Sequence, residues 1–139
     1  MDTIKHSRIK KMSPQFLVTD IDCSIEFYTK KSGFDIDFSY EDFYAGIIKD
    51  GYSIHLKLAK ASIEERENRR SNEHPDITFS VEGIEDLYED VLNKSVEIIQ
   101  SLRNMPYGRE FYIADPDGYI ISFFRRSVNI MHYLLYHLC

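Results

Sequence analysis

Tryptophan is absent from this chain of 139 residues, and cysteine, proline and glycine are scarce, with two, four and six copies. Cys23 and Cys139 lie too far apart in sequence to form a CxxC metal pair, and two cysteines are too few for the disulfide framework of a small secreted protein. We therefore expect a reducing compartment, the cytoplasm, with Cys23 as a small buried residue. The shortage of proline and glycine also excludes collagen-like and low-complexity chains.

Long apolar runs and an excess of positive charge are missing as well. No apolar stretch approaches the length that spans a bilayer, and the cationic residues near the start are not followed by the apolar segment of a secretory signal. Lys and Arg number 17 against 23 Asp and Glu, so the formal charge is -6. An acidic chain is repelled by phosphate backbones, so we expect no nucleic-acid partner, and the charge favours a cationic ligand. We expect no membrane partner either.

The chain is rich instead in tyrosine and phenylalanine, with 10 and 9 copies. Hydrophobic residues make up 43% and charged residues 29% of the chain, a balance typical of a folded globular protein. Aromatic side chains at this density fill a core or line a stacking pocket. The length favours a single compact domain.

A weak internal repeat organises the sequence into two modules, about 13–59 and 76–125, each with a strand, a helix and three further strands. The Asp50-Gly51-Tyr52 turn is mirrored by Asp117-Gly118-Tyr119, and Asp-Gly favours a tight hairpin turn. The strands predicted from short apolar or alternating runs are 16–19, 34–38, 43–48, 53–58, 77–81, 96–99, 110–114 and 119–124. The alternation in 34–38 predicts a strand with one buried face. The pattern as a whole predicts an α+β fold of two βαβββ modules.

Three segments lie outside the modules. Residues 60–74 are rich in Glu and Arg, and Ser62 and Glu65 stand at capping-box spacing, so one short helix is possible there, although a solvated linker is the simpler interpretation. Residues 127–139 carry apolar side chains that would form one stripe on a short helix and pack against the same chain or a partner. Residues 1–12 form an N-terminal extension.

Several spaced segments carry a family resemblance. They are Val18-Thr19-Asp20-Ile21 leading through Ile25-Glu26-Phe27-Tyr28 to Gly33-Phe34, then Pro106-Tyr107-Gly108-Arg109-Glu110-Phe111, and then Asp115-Pro116-Asp117-Gly118-Tyr119. In this order, over residues 13–125, they resemble the vicinal-oxygen-chelate superfamily of glyoxalases, bleomycin resistance proteins and extradiol dioxygenases. The chain is most similar to the bleomycin resistance group, whose second-to-third strand hairpin resembles the run from Phe38 through Glu41-Asp42-Phe43-Tyr44-Ala45-Gly46.

The resemblance implies a curved mixed sheet and a homodimer that exchanges strands, with ligand grooves at the dimer interface. Bleomycin resistance proteins bind a cationic drug without a metal and do no chemistry on it, so the resemblance implies a small-molecule binding protein with no cofactor. They tend to stack Trp on the drug, and Tyr107 stands where the similar loop carries a large aromatic residue. The absence of Trp therefore favours a different planar or cationic ligand.

Enzymes of the superfamily bind a metal through His and Glu side chains on facing strands of the two modules. The repeat places the corresponding positions at Ser13 and Asp76 on the first strands, and at His55 and Ser122 on the last strands. Serine hydroxyls are poor metal ligands at neutral pH, so this set predicts no metal site. If an ion does bind, the candidates are His55, Asp76 and His74.

The candidate ligand-binding residues combine ring faces for stacking with carboxylates for a cation. Among them, Arg109 is expected to hold one of the carboxylates in place. The full set is Phe38, Tyr40, Glu41, Asp42, Phe43, His55, Tyr107, Arg109, Glu110 and Phe111.

Two other functions remain open at the level of sequence. One is a metal-dependent lyase, isomerase or dioxygenase of the same fold, which would need His55 and further donors. The other is an interaction module without a small ligand, which the apolar tail after Arg126 suggests. No HExxH, GxSxG, phosphate-binding loop or dinucleotide-binding fingerprint occurs in the sequence.

Overall fold

The computed structural model describes residues 7–60, 63–72 and 74–127, and this part of the chain forms eight strands and a few helices. The chain divides into two compact units, Met1–Ala59 and Lys60–Cys139, and each contains a four-stranded mixed sheet. The predicted α+β fold class is confirmed. No helix among the described residues has the length and apolarity needed to cross a membrane.

The first unit follows the predicted order of a strand, a helix and three strands. Its elements are β1 at Gln15–Val18, α1 at Ile21–Glu26 with a π-helical continuation over Phe27–Lys31, β2 at Asp35–Tyr40, β3 at Tyr44–Lys49 and β4 at Tyr52–Leu58. The strands lie in the order β1-β4-β3-β2, with β1 parallel to β4 and the other pairs antiparallel. Asp20 caps α1 by accepting a hydrogen bond from the backbone N–H of Cys23. Asp50 and Gly51 both have positive φ, as a tight β3–β4 hairpin turn requires.

The second unit repeats this order after an additional helix. Its elements are α2 at Ile63–Asn72, β5 at Ile77–Ser80, α3 at Ile84–Leu92, β6 at Glu97–Met105, β7 at Gly108–Ala114 and β8 at Ile120–Arg126. The strand order β5-β8-β7-β6 matches that of the first unit, again with one parallel pair, β5 and β8. Strand β6 is longer than predicted, because its polar second half pairs with β7 as well.

Of the two interpretations of residues 60–74, the solvated linker is wrong and the short helix is confirmed, because helix α2 forms there. Arg66 Nη2 donates to the carbonyl oxygen of Pro116 at 3.2 Å, and Arg69 Nη1 donates to that of Asp117 at 3.0 Å. These bonds fasten α2 to the turn before β8. The composition of the segment indicated its charge, but not that two arginines would find backbone acceptors 48 to 50 residues away.

Each sheet buries one face against the helix of its own unit. Cross-strand neighbours such as Ala45 and Leu56 point to the same side, and both are fully buried. In the second unit the equivalent face is aromatic, with Phe111 and Phe123 opposite each other. The other face of each sheet is called here the far face. It carries the polar and aromatic residues from which a site can be built.

The single buried face predicted for strand 34–38 is wrong. A β-bulge interrupts β2, so that Ile36 pairs with Ile47 whereas Phe38 pairs with Gly46. Consecutive residues of β3 point to opposite faces, so the bulge places Ile36 and Phe38 on opposite faces despite their even spacing. All six residues of β2 are exposed.

Cys23 is exposed rather than buried, because it stands on the outer side of α1, next to the buried Ser24. The predictions for Ser62 and for the tail from residue 128 to 139 lie outside the described residues.

Candidate functional site

One row of residues crosses the far face of the first sheet and carries a cluster of rings. The ladder places Phe38 beside Gly46, Gly46 beside His55, and His55 beside Gln15. Tyr44 lies on the same face, two residues before Gly46. The structure thus brings together two predicted site residues, Phe38 and His55, and adds Tyr44, which sequence reasoning did not select.

The rings of this cluster contact one another directly. The Phe38 and Tyr44 rings are stacked with centroids 5.9 Å apart, and His55 meets them edge-on at 5.2 and 5.6 Å. The Tyr44 hydroxyl lies 3.0 Å from His55 Nδ1 and also donates to Gln15 Oε1 at 3.1 Å. These polar contacts fix the orientation of the Tyr44 ring while Phe38 keeps 37% of its surface exposed.

Gly46 determines where the Phe38 ring can lie. A Cβ atom at position 46 would come within 2.3 Å of a ring carbon of Phe38. Because real Cβ atoms never approach so closely, any side chain at this position would push the ring aside. The glycine is therefore needed for close approach of the ring to the sheet, a requirement that only the pairing register reveals.

The other first-unit candidates surround the turn between β2 and β3. The rings of Tyr40 and Phe43 meet edge-on at 5.6 Å, and both are exposed, at 61% and 41%. Glu41 and Asp42 lie between them, are exposed, and form no ion pair with any other residue that the structure describes. Glu41 adopts positive φ, which tightens the turn. Ring faces and two unneutralised carboxylates thus occupy one short hairpin end.

The far face of the second sheet holds a buried carboxylate, Glu110, which is 4% exposed. Arg103 donates to its Oε2 through Nε at 2.8 Å and Nη2 at 2.6 Å. The hydroxyl of Tyr107 donates to Oε1 at 2.7 Å, and that of Tyr112 to Oε2 at 3.1 Å. Arg103 also donates from Nη1 to Gln100 at 3.2 Å. This set is called here the Glu110 cluster.

The cluster keeps its carboxylate charged. Burial alone would raise the pKa of Glu110, but the hydrogen bonds from Tyr107, Arg103 and Tyr112 outweigh it and leave that pKa below its usual value. The hydrogen bond between the Tyr107 hydroxyl and Glu110, together with burial, raises the pKa of Tyr107 to about 12. Glu110 is thus an ionised group whose charge Arg103 already balances. It does not serve as a free carboxylate for a cationic ligand, whereas the Tyr107 ring, held through its hydroxyl, remains 36% exposed.

The predicted role of Arg109 in holding a candidate carboxylate is wrong. Arg109 Nη1 donates to Glu85 Oε1 at 2.6 Å, and Arg125 Nη1 donates to the same atom at 2.8 Å. Adjacent strand residues point to opposite faces, so Arg109 cannot reach the carboxylate of its neighbour Glu110. Arg103, on the neighbouring strand β6, bonds the Glu110 carboxylate instead. No sequence signal singled out Arg103, because two bulges in β6 shift its register.

Phe111 is not a site residue, and its prediction as one is corrected. Its side chain is fully buried, with ring centroids 4.9 Å from Tyr88 on α3 and 5.1 Å from Phe123 on β8. Apolar side chains on the helix-covered face of the sheet surround the Phe111 ring, so this ring is part of the core. The alternation of the strand showed that 110 and 112 share a face and 111 does not, but it could not show which face the helix covers.

The donors at the family's metal positions do not fit a divalent ion. His55 lies beside Gln15, since Ser13 falls before β1 and instead bonds Ser53. Asp76 accepts a hydrogen bond from the backbone N–H of Ile120 at 2.7 Å, so its carboxylate has a structural partner.

The remaining metal candidates add little. Ser122 lies beside Thr78, a second neutral hydroxyl. His74 is exposed outside the strands. Nowhere in residues 7–60, 63–72 and 74–127 do three His, Cys, Asp or Glu side chains converge. The donor chemistry therefore supports no step that runs through a metal.

Comparison with known proteins gives consistent results. A family model described as the glyoxalase/bleomycin resistance protein/dioxygenase superfamily matches residues 8–123. A bleomycin resistance protein of Geobacillus stearothermophilus is 33% identical over 130 residues, covering 81% of this chain and 94% of that protein. The same similarity holds for bleomycin resistance proteins of Staphylococcus aureus.

Solved structures share the fold at lower identity. The crystal structure of a superfamily member from Alicyclobacillus acidocaldarius has a TM-score of 0.68 at 14% identity and covers 89% of this chain and 96% of its own. The crystal structure of the bleomycin-binding protein of Streptomyces verticillus, complexed with copper(II)-bleomycin, has a TM-score of 0.65 at 18% identity and covers 87% of this chain and 99% of its own.

Proposed function

This chain belongs to the glyoxalase/bleomycin resistance protein/dioxygenase superfamily, and on that premise we propose that it binds a planar, cationic small molecule and sequesters it without chemical change or metal. The observation that carries the proposal is the exposed ring surface of Phe38, backed by Tyr44 and His55. Such a surface binds planar cations by stacking and by attraction to the ring face. The cytoplasm is the proposed compartment, because the two cysteines give no disulfide framework.

Charge supports a cationic ligand. The carboxylates of Glu41 and Asp42 stand beside exposed rings and have no cationic partner among the described residues. A cation placed there would gain attraction without first breaking an ion pair. Glu110, by contrast, already has Arg103, and what it contributes is a fixed position for the Tyr107 ring. The proposal thus assigns the ring contact to Phe38 and the charge to the β2–β3 hairpin, both in the first unit.

The assignment predicts a specific loss of binding. We expect bleomycin and ethidium, used as two cationic probes with planar rings, to bind wild type in isothermal titration. Phe38→Ala should weaken binding about tenfold or more, because a central aromatic anchor contributes at least about 1.4 kcal/mol. Gly46→Ala should do the same, since its Cβ displaces the Phe38 ring. At a hundred times its dissociation constant, a probe should stabilise the wild type by about 2.7 kcal/mol.

Tyr52→Ala is the matched control for this titration. Tyr52 is 70% exposed at the β3–β4 hairpin and contacts none of the three rings, so its loss should leave affinity unchanged. Equal affinities for Phe38→Ala and Tyr52→Ala would refute the ring surface as the binding site. Failure of both probes to bind wild type would refute a planar cation as the ligand class.

We also propose that the protein is a homodimer whose second copy covers β2 and completes the groove. Strand β2 is at the edge of its sheet and exposes Ile36 at 54% together with Phe38 and Tyr40. An exposed apolar edge strand is a surface that proteins normally cover. A stable interface needs about 800 Å² from each partner, which is more than these side chains supply alone, so further residues must contribute.

The dimer has its own test. Wild type should sediment as a dimer at micromolar concentration, and Ile36→Asp should shift it to monomer, because a charge would be buried in the interface. Leu92→Asp is the matched control, since Leu92 is 49% exposed at the end of α3 and should not affect assembly. A monomeric wild type, or an Ile36→Asp variant that stays dimeric, would contradict the proposal.

A further inference from the structure

A cleft of about 570 Å³ opens at one end of the second sheet. Its walls carry three arginines, Arg109 on β7 and Arg125 and Arg126 on β8, together with Asn104 and Ser127. In a chain with a formal charge of -6, such a concentration of guanidinium groups is a local reversal of sign. The feature belongs to neither the ring surface nor the Glu110 cluster.

The strand register builds the core of this cleft. Arg109 and Arg125 are direct neighbours across the β7–β8 ladder, so their side chains leave the sheet on the same side. Like charges directly opposite each other repel, and a shared anion relieves that repulsion. The anion is Glu85, in the first turn of α3, whose single Oε1 atom accepts from both guanidinium groups.

The charges around the cleft do not balance. One carboxylate serves two arginines, Arg109 and Arg125, so this group retains a net positive charge of one, whereas Arg126, the next residue of β8, points to the opposite face of the sheet. The Nε atom of Arg109 is shielded from solvent and has no hydrogen-bond acceptor within those ranges. A buried guanidinium N–H without an acceptor is unfavourable, and a bound oxyanion would provide one.

We propose that this cleft binds an oxyanion, a phosphate or carboxylate group of a small molecule, and that Glu85 is the internal anion it replaces. Guanidinium groups present parallel N–H donors that match the oxygens of both chemical groups. Glu85 is 47% exposed, so an incoming anion can displace it without entering the core. The inference is independent of the proposed sequestering function, because it uses another surface and the opposite ligand charge.

The test measures binding of inorganic phosphate and of citrate to the full chain by isothermal titration, at constant ionic strength set with sodium chloride. Arg125→Gln should weaken binding at least tenfold, because it removes one of the paired guanidinium groups. Glu85→Gln should tighten binding several-fold, because it removes the competing carboxylate. Preference for phosphate over citrate, or the reverse, identifies which oxyanion the cleft is built for.

Two further variants keep the test decisive. Arg8→Gln removes the same charge from an exposed residue before β1 and should leave phosphate and citrate affinity unchanged. Arg126→Gln removes the same charge from the opposite face of β8, so it should fold normally and leave phosphate and citrate affinity unchanged. Equal affinity of wild type and Arg125→Gln would overturn the proposal, and so would an equal loss in Arg8→Gln, Arg126→Gln and Arg125→Gln, which would show general charge attraction only. So would a Glu85→Gln variant that loses stability and gains no affinity, since Glu85 would then only fasten α3 to the sheet.

Discussion

Replacing Phe111 with Ala is expected to lower the free energy of unfolding by about 3–5 kcal/mol, because the fully buried ring leaves a cavity between α3 and the second sheet. Replacing Phe38 with Ala should cost no more than about 1 kcal/mol, because that ring is partly exposed and rests on the sheet surface. The two phenylalanines are alike in sequence terms, since both lie in strands of the same kind of hairpin. They should therefore separate stability from binding.

Urea unfolding of the two variants measures this difference directly. A stability of about 5–15 kcal/mol is usual for a domain, so the Phe111→Ala protein should lose a large fraction of its total stability. Phe111→Leu should recover most of the loss, since it refills much of the cavity. Comparable losses for Phe111→Ala and Phe38→Ala would show that Phe111 is not in the core.

Replacing Glu110 with Gln is expected to destabilise the protein by about 1–3 kcal/mol at neutral pH, since it removes the anion that the partly exposed Arg103 and two tyrosine hydroxyls bond. Losing the buried partner of an ion pair costs more than the pair contributes, because the other charge loses its compensation, although water reaches the 38% of Arg103 that is exposed and offsets part of this cost. Glu41→Gln is the matched control. That carboxylate is exposed and forms no ion pair within the described residues, so its change should be within about 0.5 kcal/mol.

The destabilisation by Glu110→Gln should depend on pH with a definite sign. The folded-state pKa of Glu110 lies below the unfolded value of about 4.3, so its stabilising contribution is complete above that value and is lost as pH falls through the lower folded pKa. The difference between wild type and variant should therefore be constant between about pH 5 and 7 and shrink on acidification. A difference that grows on acidification would contradict this reasoning.

Tyr107 provides the alkaline counterpart of that measurement. Its pKa is raised to about 12 by the bond to Glu110 and by burial, so the neutral phenol should persist well above pH 10. Ultraviolet titration of wild type against a Tyr107→Phe variant isolates this residue from the other nine tyrosines. In the Glu110→Gln background the midpoint should fall toward 10. An unchanged midpoint would mean that the carboxylate does not hold this ring.

Much of the fold could be predicted because the signals were local. The paired Asp-Gly turns located the last hairpin of each unit, and the apolar spacing of 84–92 predicted α3. The resemblance in residues 13–125 predicted the family, which the comparisons confirm. The capping-box spacing of Ser62 and Glu65 left a short helix open at α2, but charge composition could not decide between that helix and a linker. Its stability rests on Arg66 and Arg69 reaching a turn that is distant in sequence.

The site residues were harder to predict because a β-bulge changes which sheet face the following residues of a strand point to. In β2 one bulge moves Phe38 to the far face, beside Gly46 and the ring of His55. In β6 two bulges bring Arg103 opposite Glu110. A sequence shows which residues alternate, but an extra residue in one strand reverses every assignment beyond it.

The sequence alone determined the repeat, the element types within the two modules, the family and the poor set of metal donors, because each depends on residue identity or on spacing over a few positions. The tertiary structure decided which aromatic residues are core and which are surface, which arginine neutralises Glu110, and that Arg109 and Arg125 share Glu85. Those outcomes depend on strand register and on which sheet face the helix covers. Both are set by contacts between residues far apart in the chain, which no local pattern encodes.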